Sequence, residues 1–131
     1  MKKIKNSLII CLTFMLILVN SIPVSAANSY DAVQYAYIGN NKITLKSVYT
    51  YDDNGNYTYK SIRGIVNTFN KYSDHFESNS VSYEINSSRD KCTIVLDGYT
   101  VSNGYVLNKE IWTIQFKVMQ DDMVYVDTEI V

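Results

Sequence analysis

Residues 49–59 read YTYDDNGNYTY and decide the fold, because two Tyr-Thr-Tyr arms flank an acidic centre that contains Gly55. The alternation of aromatic and polar residues in each arm is typical of a β-strand, and the centre is typical of a turn. A two-residue turn at Asn54 and Gly55 would pair Tyr51 with Thr58. That register puts tyrosines on both faces of the hairpin, so neither face would be consistently apolar.

A three-residue loop at 53–55 gives a consistent pattern. Asp52 favours the start of a type I turn, and Gly55 tolerates the left-handed conformation of the position that follows. In this register the tyrosines share one face and pair across the hairpin: Tyr51 with Tyr57, and Tyr49 with Tyr59. We therefore predict a hairpin in this register, with an apolar side and a polar side.

The same register extends away from the loop along both arms. It gives two further pairs: Ser47 with Ser61, and Ile43 with Ile65. The apolar face then collects a continuous set of residues: Ile43, Leu45, Tyr49, Tyr51, Tyr57, Tyr59 and Ile65. Val48 and Ile62 fall on the opposite face and are apolar exceptions there.

Three other turns pass the same test, in which the register must bring apolar residues from both arms to one face. A loop at 87–90 predicts three pairs: Val81 with Leu96, Tyr83 with Ile94, and Ile85 with Cys92. A loop at 120–122 predicts two pairs: Phe116 with Val126, and Val118 with Val124. A loop at 39–41 predicts two more: Tyr35 with Leu45, and Tyr37 with Ile43.

The segment at 62–76 is compatible with two interpretations. Its apolar residues have helical spacing and Ser61 suits a helix N-cap, which predicts a short helix. Gly64 and the β-branched residues argue against a helix, and the alternative is a strand that runs to about Phe69, followed by a polar loop at 70–80. With either interpretation the fold is predicted to be all-β, an antiparallel β-sandwich or small barrel of about seven strands.

The first 26 residues have the composition of a secretory signal peptide. Three lysines lie among the first five residues, 8–19 is apolar apart from one threonine, and 24–26 reads Val-Ser-Ala, a small-x-small cleavage pattern. An uncleaved membrane anchor is the alternative, although the apolar run is short for one. We predict a signal peptide at 1–26 and a single β-domain at 27–131. We expect this domain to be secreted by a bacterium and to be extracellular or loosely associated with the cell wall.

The charge of the chain disfavours nucleic acid and anionic lipid as partners, and its cysteine content disfavours an internal disulfide. The chain has 12 basic residues and the leader contains three of them, so nine remain against 13 acidic residues, a net charge of −4. An acidic domain without clustered Lys and Arg is a poor binder of nucleic acid and of anionic lipid. We predict no nucleic-acid partner and no integral membrane association after cleavage. Because Cys92 is the one cysteine left, the fold must be held by packing rather than by an internal disulfide.

Residues that support catalysis or metal binding are few and scattered. His75 is the only histidine, and it falls in the predicted polar loop, where a solvated side chain is expected. Cys92 lies on an apolar hairpin face, which favours an inert buried thiol. A calcium-binding loop at 50–61 fails because Thr50 and Ser61 occupy positions that need acidic ligands. The sequence therefore predicts no catalytic residue, no metal site and no cofactor, and a small hydrolase built on His75 is the least favoured function.

The tyrosine face of the 49–59 hairpin is the strongest functional signal. It is either core, with hydroxyls that reach the edge for water, or an exposed patch of flat rings of the kind that marks a binding site. The second interpretation assigns four ligand-binding residues: Tyr49, Tyr51, Tyr57 and Tyr59. Together with export, it predicts a non-enzymatic binding domain for an extracellular glycan or protein. A secreted inhibitor or immunity-type protein that acts through the loop at 70–80 is the alternative.

Overall fold

The computed structural model describes residues 28–131, which form seven β-strands. The strands are β1 (Ser29–Ile38), β2 (Asn41–Tyr51), β3 (Tyr57–Phe69), β4 (His75–Ile85), β5 (Lys91–Ser102), β6 (Tyr105–Lys117) and β7 (Met123–Ile130). The signal peptide predicted at 1–26 lies outside the described residues. Among the residues described, no helix occurs that could cross a lipid bilayer.

The strands form two antiparallel sheets in chain order. One sheet has the order β1-β2-β3 and the other the order β4-β5-β6-β7, so hairpins join all neighbours within each sheet. The prediction of an all-β antiparallel sandwich or small barrel of about seven strands is confirmed, and the two separate sheets are consistent with the sandwich. The alternative of a short helix at 62–76 is wrong, because these residues form the end of β3, a loop at 70–74 and the start of β4. The β-branched residues of this segment favour extended backbone, and Gly64 disfavours a helix.

The core lies between the sheets and is filled by every second residue of the central strands. In β2 and β5 burial alternates along nearly the whole strand, as expected where one face of a sheet is covered. Both sheets contribute fully buried apolar side chains: Ile43, Leu45, Tyr59, Ile65, Cys92, Ile94, Leu96, Ile114 and Phe116. Burial of one large aliphatic or aromatic side chain contributes roughly 1.5–3 kcal/mol to folding, so this layer is the main source of stability.

The β2–β3 hairpin has the predicted register only near its loop. Tyr51 pairs with Tyr57 and Tyr49 pairs with Tyr59, as predicted, and the Asp52 N–H donates to Asn56 O at 3.0 Å to close the loop. These pairs set one face of the hairpin toward the other sheet. The local turn signals are therefore sufficient to specify this end of the hairpin.

Two register shifts change the pairing further along the hairpin. They lie between Lys46 and Ser47 and between Val48 and Tyr49, and each adds one residue to β3. Ser47 consequently pairs with Ile62, and Ile43 pairs with Asn67, so the predicted partners Ser61 and Ile65 are wrong. A β-bulge reverses the face of the residues that follow it, which places Ile62 in the core rather than on the polar face.

The β1–β2 hairpin has a different turn from the predicted one. Its loop contains only Gly39 and Asn40, with Gly39 at a φ of 56°, as in a two-residue turn with glycine at its first position. The predicted partners of Tyr35 and Tyr37 are therefore wrong by one residue. The slip exchanges the two faces of β1, so Gln34 and Ala36 point into the core and the two tyrosines point away from it.

Of the two remaining hairpins, one has the predicted pairs and the other does not. All three predicted β4–β5 pairs are confirmed, including Ile85 with Cys92. The two predicted β6–β7 pairs are wrong, because Val126 pairs with Ile114 and the loop covers 118–122. That loop forms backbone hydrogen bonds elsewhere: the Val118 N–H donates to Asp90 O at 2.8 Å, and Asp121 O accepts from the Tyr35 N–H at 3.1 Å. Backbone groups used in these contacts cannot extend the β6–β7 hairpin.

Buried amide side chains connect the two sheets where backbone pairing ends. Gln34 Nε2 on β1 donates to Lys117 O at 2.7 Å and to Gln120 O at 2.5 Å. On the opposite side, Asn41 Nδ2 donates to Phe76 O at 2.7 Å while the Phe76 N–H donates to Asn41 Oδ1 at 2.9 Å. The Asn41 amide therefore replaces a strand residue beside β4. Each amide is buried and fully bonded, as low-dielectric surroundings require.

Candidate functional site

Five tyrosines gather at the end of the sandwich that carries the β2–β3 loop, and we call this group the tyrosine end: Tyr30, Tyr49, Tyr51, Tyr57 and Tyr59. They do not share one environment. Tyr49 and Tyr59 are buried, whereas Tyr51 is 37% exposed and Tyr30 is 51% exposed. Tyr57 is half-buried between these two groups. The predicted four-residue face therefore divides into two core residues and two residues accessible to a ligand.

The rings pack against one another through their edges. Tyr49 and Tyr59 have ring centres 5.4 Å apart at an interplanar angle of 77°. Tyr57 lies 4.9 Å from Tyr51 and 6.1 Å from Tyr30, with each pair tilted by 55°. Tilted and edge-to-face pairs are the favoured aromatic geometries and add about 0.5–1.5 kcal/mol each beyond burial. The exposed rings are thus held in place by the buried ones.

The hydroxyls of the two buried tyrosines are used inside the protein. Tyr59 Oη donates to Gln34 Oε1 at 2.7 Å, and Tyr49 Oη accepts from the Met119 N–H at 3.3 Å. Burial raises the pKa of both phenols above the ordinary value of 10.0. These hydroxyls are therefore internal hydrogen-bonding groups, and ligand contacts at this end must come from other residues.

Tyr30 is a member of this group that sequence reasoning missed. It pairs with Tyr49 across β1 and β2, which puts it on the same face and beside Tyr57. The signal for it was present, since Tyr30 lies in an alternating segment. The predicted β1–β2 register was one residue out, however, and that error assigns Tyr30 to the wrong face.

Two loops frame the tyrosine end. In the β2–β3 loop, Asp52 Oδ1 accepts from the N–H groups of Asn54 at 2.9 Å and Asn56 at 2.8 Å, which orders the loop from within. Its Asp53, Asn54 and Asn56 side chains are exposed. The β4–β5 loop lies against β3, because Arg89 Nε donates to Tyr59 O at 2.7 Å. The end therefore presents ordered carboxylate and amide groups beside exposed aromatic rings.

His75 and Glu77, which lie in the segment predicted to be a polar loop, form a buried polar cluster with Tyr99 of β5. That prediction is wrong, since His75 begins β4. His75 Nε2 lies 2.9 Å from Glu77 Oε1, and the Tyr99 hydroxyl donates to Glu77 Oε2 at 2.8 Å. The side chains of His75 and Glu77 are both 0% exposed. Sequence reasoning predicted a solvated His75, so the buried contact between His75 and Glu77 was missed.

The hydrogen-bond partners of this cluster determine where its protons lie. His75 Nδ1 is 2.6 Å from Ser73 O, and a carbonyl oxygen only accepts, so Nδ1 carries a hydrogen. Nε2 lies within hydrogen-bond distance of Glu77 Oε1, so both ring nitrogens have an oxygen partner. Phe69 stacks on the imidazole at 4.3 Å and covers its face. Both ring nitrogens are therefore engaged, and the His75 side chain is fully buried.

A glycine makes room for the buried glutamate. Gly98 lies beside β4, and a Cβ atom at this position would be 1.9 Å from Glu77 O. The approach of the two strands therefore requires the absence of a side chain at 98. A glycine inside an otherwise apolar strand was the one signal in the sequence that pointed to a close contact here.

Within the described residues, the other reactive side chains do not form a recognisable catalytic or metal-binding group. Cys92 is buried, and burial raises the pKa of its thiol to about 12, so it is an inert core residue as predicted. Within residues 28–131, no group of three or more His, Cys, Asp or Glu side chains is placed to hold a metal ion. Comparison of the chain with protein-family models, with curated proteins and with solved structures finds no match in any of the three.

Removal of Glu77 tests whether the buried cluster stabilises the fold. We expect Glu77→Ala to lower the free energy of unfolding by about 3–5 kcal/mol, because His75 and Tyr99 lose a partner in a dry site. Urea unfolding measures this change. The matched control is Glu84→Ala on the exposed part of the same strand, for which we expect a change within about 0.5 kcal/mol. Equal effects of the two variants would contradict a structural role for the cluster.

Alkaline titration tests the burial of the three internal phenols. The pKa values of Tyr49, Tyr59 and Tyr99 are raised from 10.0, mainly by burial, so above pH 10 the unfolded chain releases protons that the folded chain retains. The contribution of these protonated phenols to the stability of the fold is fully present below pH 10, and it is lost as pH rises toward the folded-state pKa values. We expect tyrosinate absorbance to show three of the 12 tyrosines ionising only as the chain unfolds. Tyr59→Phe should reduce this late group by one. Ionisation of all tyrosines without unfolding would contradict the assignment.

Proposed function

We propose that the chain is a secreted bacterial binding domain without enzymatic activity, and that it recognises an extracellular glycan through the tyrosine end. The observation that supports this proposal is the exposure of Tyr30 and Tyr51, which lie beside the half-buried Tyr57 and are backed by buried tyrosines. Contact between water and a cluster of exposed aromatic side chains is unfavourable. Such a cluster therefore often marks a binding surface.

The geometry suits sugar rings for two reasons. Aromatic faces pack against the apolar C–H faces of a sugar, and each tyrosine also carries a hydroxyl at its rim. The exposed Asp53, Asn54 and Asn56 side chains lie in the adjacent loop, where carboxylate and amide groups can bind sugar hydroxyls. Because the rings are held by internal packing, binding would require little ordering of side chains.

The protein-inhibitor alternative has less support. It relied on a loop at 70–80, but the connection between β3 and β4 covers only 70–74, with Tyr72 86% exposed within it. A five-residue loop offers a small surface compared with the twenty or so residues that each partner contributes to a stable protein interface. The hydrolase alternative relied on His75, whose ring nitrogens are both engaged. A glycan-binding domain therefore remains our proposal.

Paired tyrosine variants test this proposal. We expect Tyr30→Ala with Tyr51→Ala to reduce binding to purified bacterial cell-wall glycan by about tenfold, because each lost ring contact is worth about 0.5–1.5 kcal/mol. Retention on the insoluble glycan and calorimetry with its soluble fragments measure the loss. The matched control is Tyr72→Ala with Tyr105→Ala, two tyrosines that are also strongly exposed but lie outside the cluster.

Two results would contradict the proposal. Equal losses in the two double variants would show that the tyrosine end has no special role. Absence of glycan retention by the unaltered protein, together with capture of one protein from culture supernatant, would instead support the inhibitor. Circular dichroism of each variant separates loss of binding from loss of the fold.

A further inference from the structure

A concave site lies at the opposite end of the sandwich from the tyrosine end. It is an open cleft of about 360 Å³ between the β1–β2 turn, the start of β4 and the β5–β6 hairpin. Pockets of a few hundred cubic ångströms are large enough for a small molecule. Because no tyrosine of the first cluster lines it, this cleft is independent of the function proposed above.

The floor of the cleft is aromatic and apolar. Phe76 and Trp112 stack at 4.1 Å with an interplanar angle of 14°, and both line the cleft. Leu107 forms part of the wall, although it is 59% exposed, and Ile38 and Val101 complete the apolar lining. A nearly parallel aromatic pair with an aliphatic wall favours a flat, apolar group.

The buried polar groups beneath this floor are already satisfied. Asn41 bonds to Phe76 and Asn67, and His75 bonds to Ser73 and Glu77. A polar group placed against them would find no free partner and would lose its own hydration. These residues therefore favour a ligand whose body is apolar.

The rim, in contrast, carries an incompletely bonded negative charge. Asp74 Oδ1 accepts from the Ser102 hydroxyl at 2.8 Å, and among the described residues no donor contacts the second oxygen of this carboxylate. No Lys or Arg is among the described residues that line the cleft. Glu110 does not line the cleft, but its Oε2 accepts from Nε1 of the lining residue Trp112 at 3.0 Å. The field at the rim therefore favours a cation.

We infer that this cleft binds a small amphiphilic cation, an amine with a flat apolar body. The body would lie on the Phe76–Trp112 stack, and the ammonium group would pair with the Asp74 carboxylate. An ammonium beside an aromatic floor also gains attraction from the ring faces. An anionic molecule of the same shape would be disfavoured by the same rim.

Two probes that share a phenylethyl body and carry opposite charges test the inference. 2-Phenylethylamine is cationic at neutral pH, and 3-phenylpropionate has the same body with a carboxylate. Trp112 is the only tryptophan of the chain and lies in the floor, so its fluorescence and its indole N–H resonance report binding directly. We expect saturable binding of the amine with a dissociation constant of about a millimolar, as suits a ligand of this size. The carboxylate should bind at least about threefold more weakly.

Three variants separate the roles of charge and apolar contact. Asp74→Asn should weaken amine binding by about threefold to tenfold, since an exposed charge-assisted contact is lost. Asp53→Asn removes the same charge at the tyrosine end and should leave binding unchanged. Leu107→Ser should weaken both probes, because it removes part of the apolar wall. Asp74, Asp53 and Leu107 are exposed, so these variants should retain the fold.

Two experimental results would contradict the inference. If neither probe gives a saturable change at Trp112, the cleft is not a binding site for this class of ligand. If the amine and the carboxylate bind equally, or if Asp74→Asn behaves as Asp53→Asn does, the assignment of a cation is wrong.

Discussion

No continuous backbone ladder joins the two sheets, so they depend on buried amide side chains and on a few single hydrogen bonds, such as that from the Tyr35 N–H to Asp121 O. Gln34 holds β1 to the segment after β6, and it also accepts from the Tyr59 hydroxyl. Asn41 and Asn67 hold β2 and β3 to Phe76 on β4. Apolar burial supplies most of the stabilising free energy, but it is non-directional. The amides set which strands meet and in which register, since any slip would leave them unpaired in the core.

With the two sheets joined in this way, the two ends of the sandwich are open and differ in their chemistry. At one end the inner face of β2–β3 carries more tyrosines than the core can cover, so the outer rings of the cluster reach solvent. At the other end Asn41 fixes β4 beside the β1–β2 turn, and the cleft forms over Phe76 and Trp112. The His75–Glu77–Tyr99 cluster closes the interior behind that cleft. Both candidate sites are thus consequences of where the sheets are joined.

Alternation and turn chemistry predicted much of this fold. The central pairs at 49–59 and the β4–β5 pairs follow from local signals alone, because loop length sets the register there. The β3 bulges were not predictable, since they depend on how the far half of β3 meets the second sheet. Gln34, His75 and Glu77 were missed for a related reason. A polar residue is predicted to face solvent when its hydrogen-bond partner cannot be identified from the sequence. Here the partners lie far away in the chain or two residues along a strand. For the same reason the division of the tyrosines into core and surface required the structure.

The side-chain amide of Gln34 provides the most direct measurement of this account. In the folded protein its two Nε2 protons are bonded to Lys117 O and Gln120 O, in surroundings where Gln34 is 1% exposed. Nuclear magnetic resonance should therefore show these protons exchanging slowly with water, with nuclear Overhauser contacts to residues 117 and 120. Exchange as fast as that of an exposed amide, without those contacts, would show that the two sheets are not joined as described.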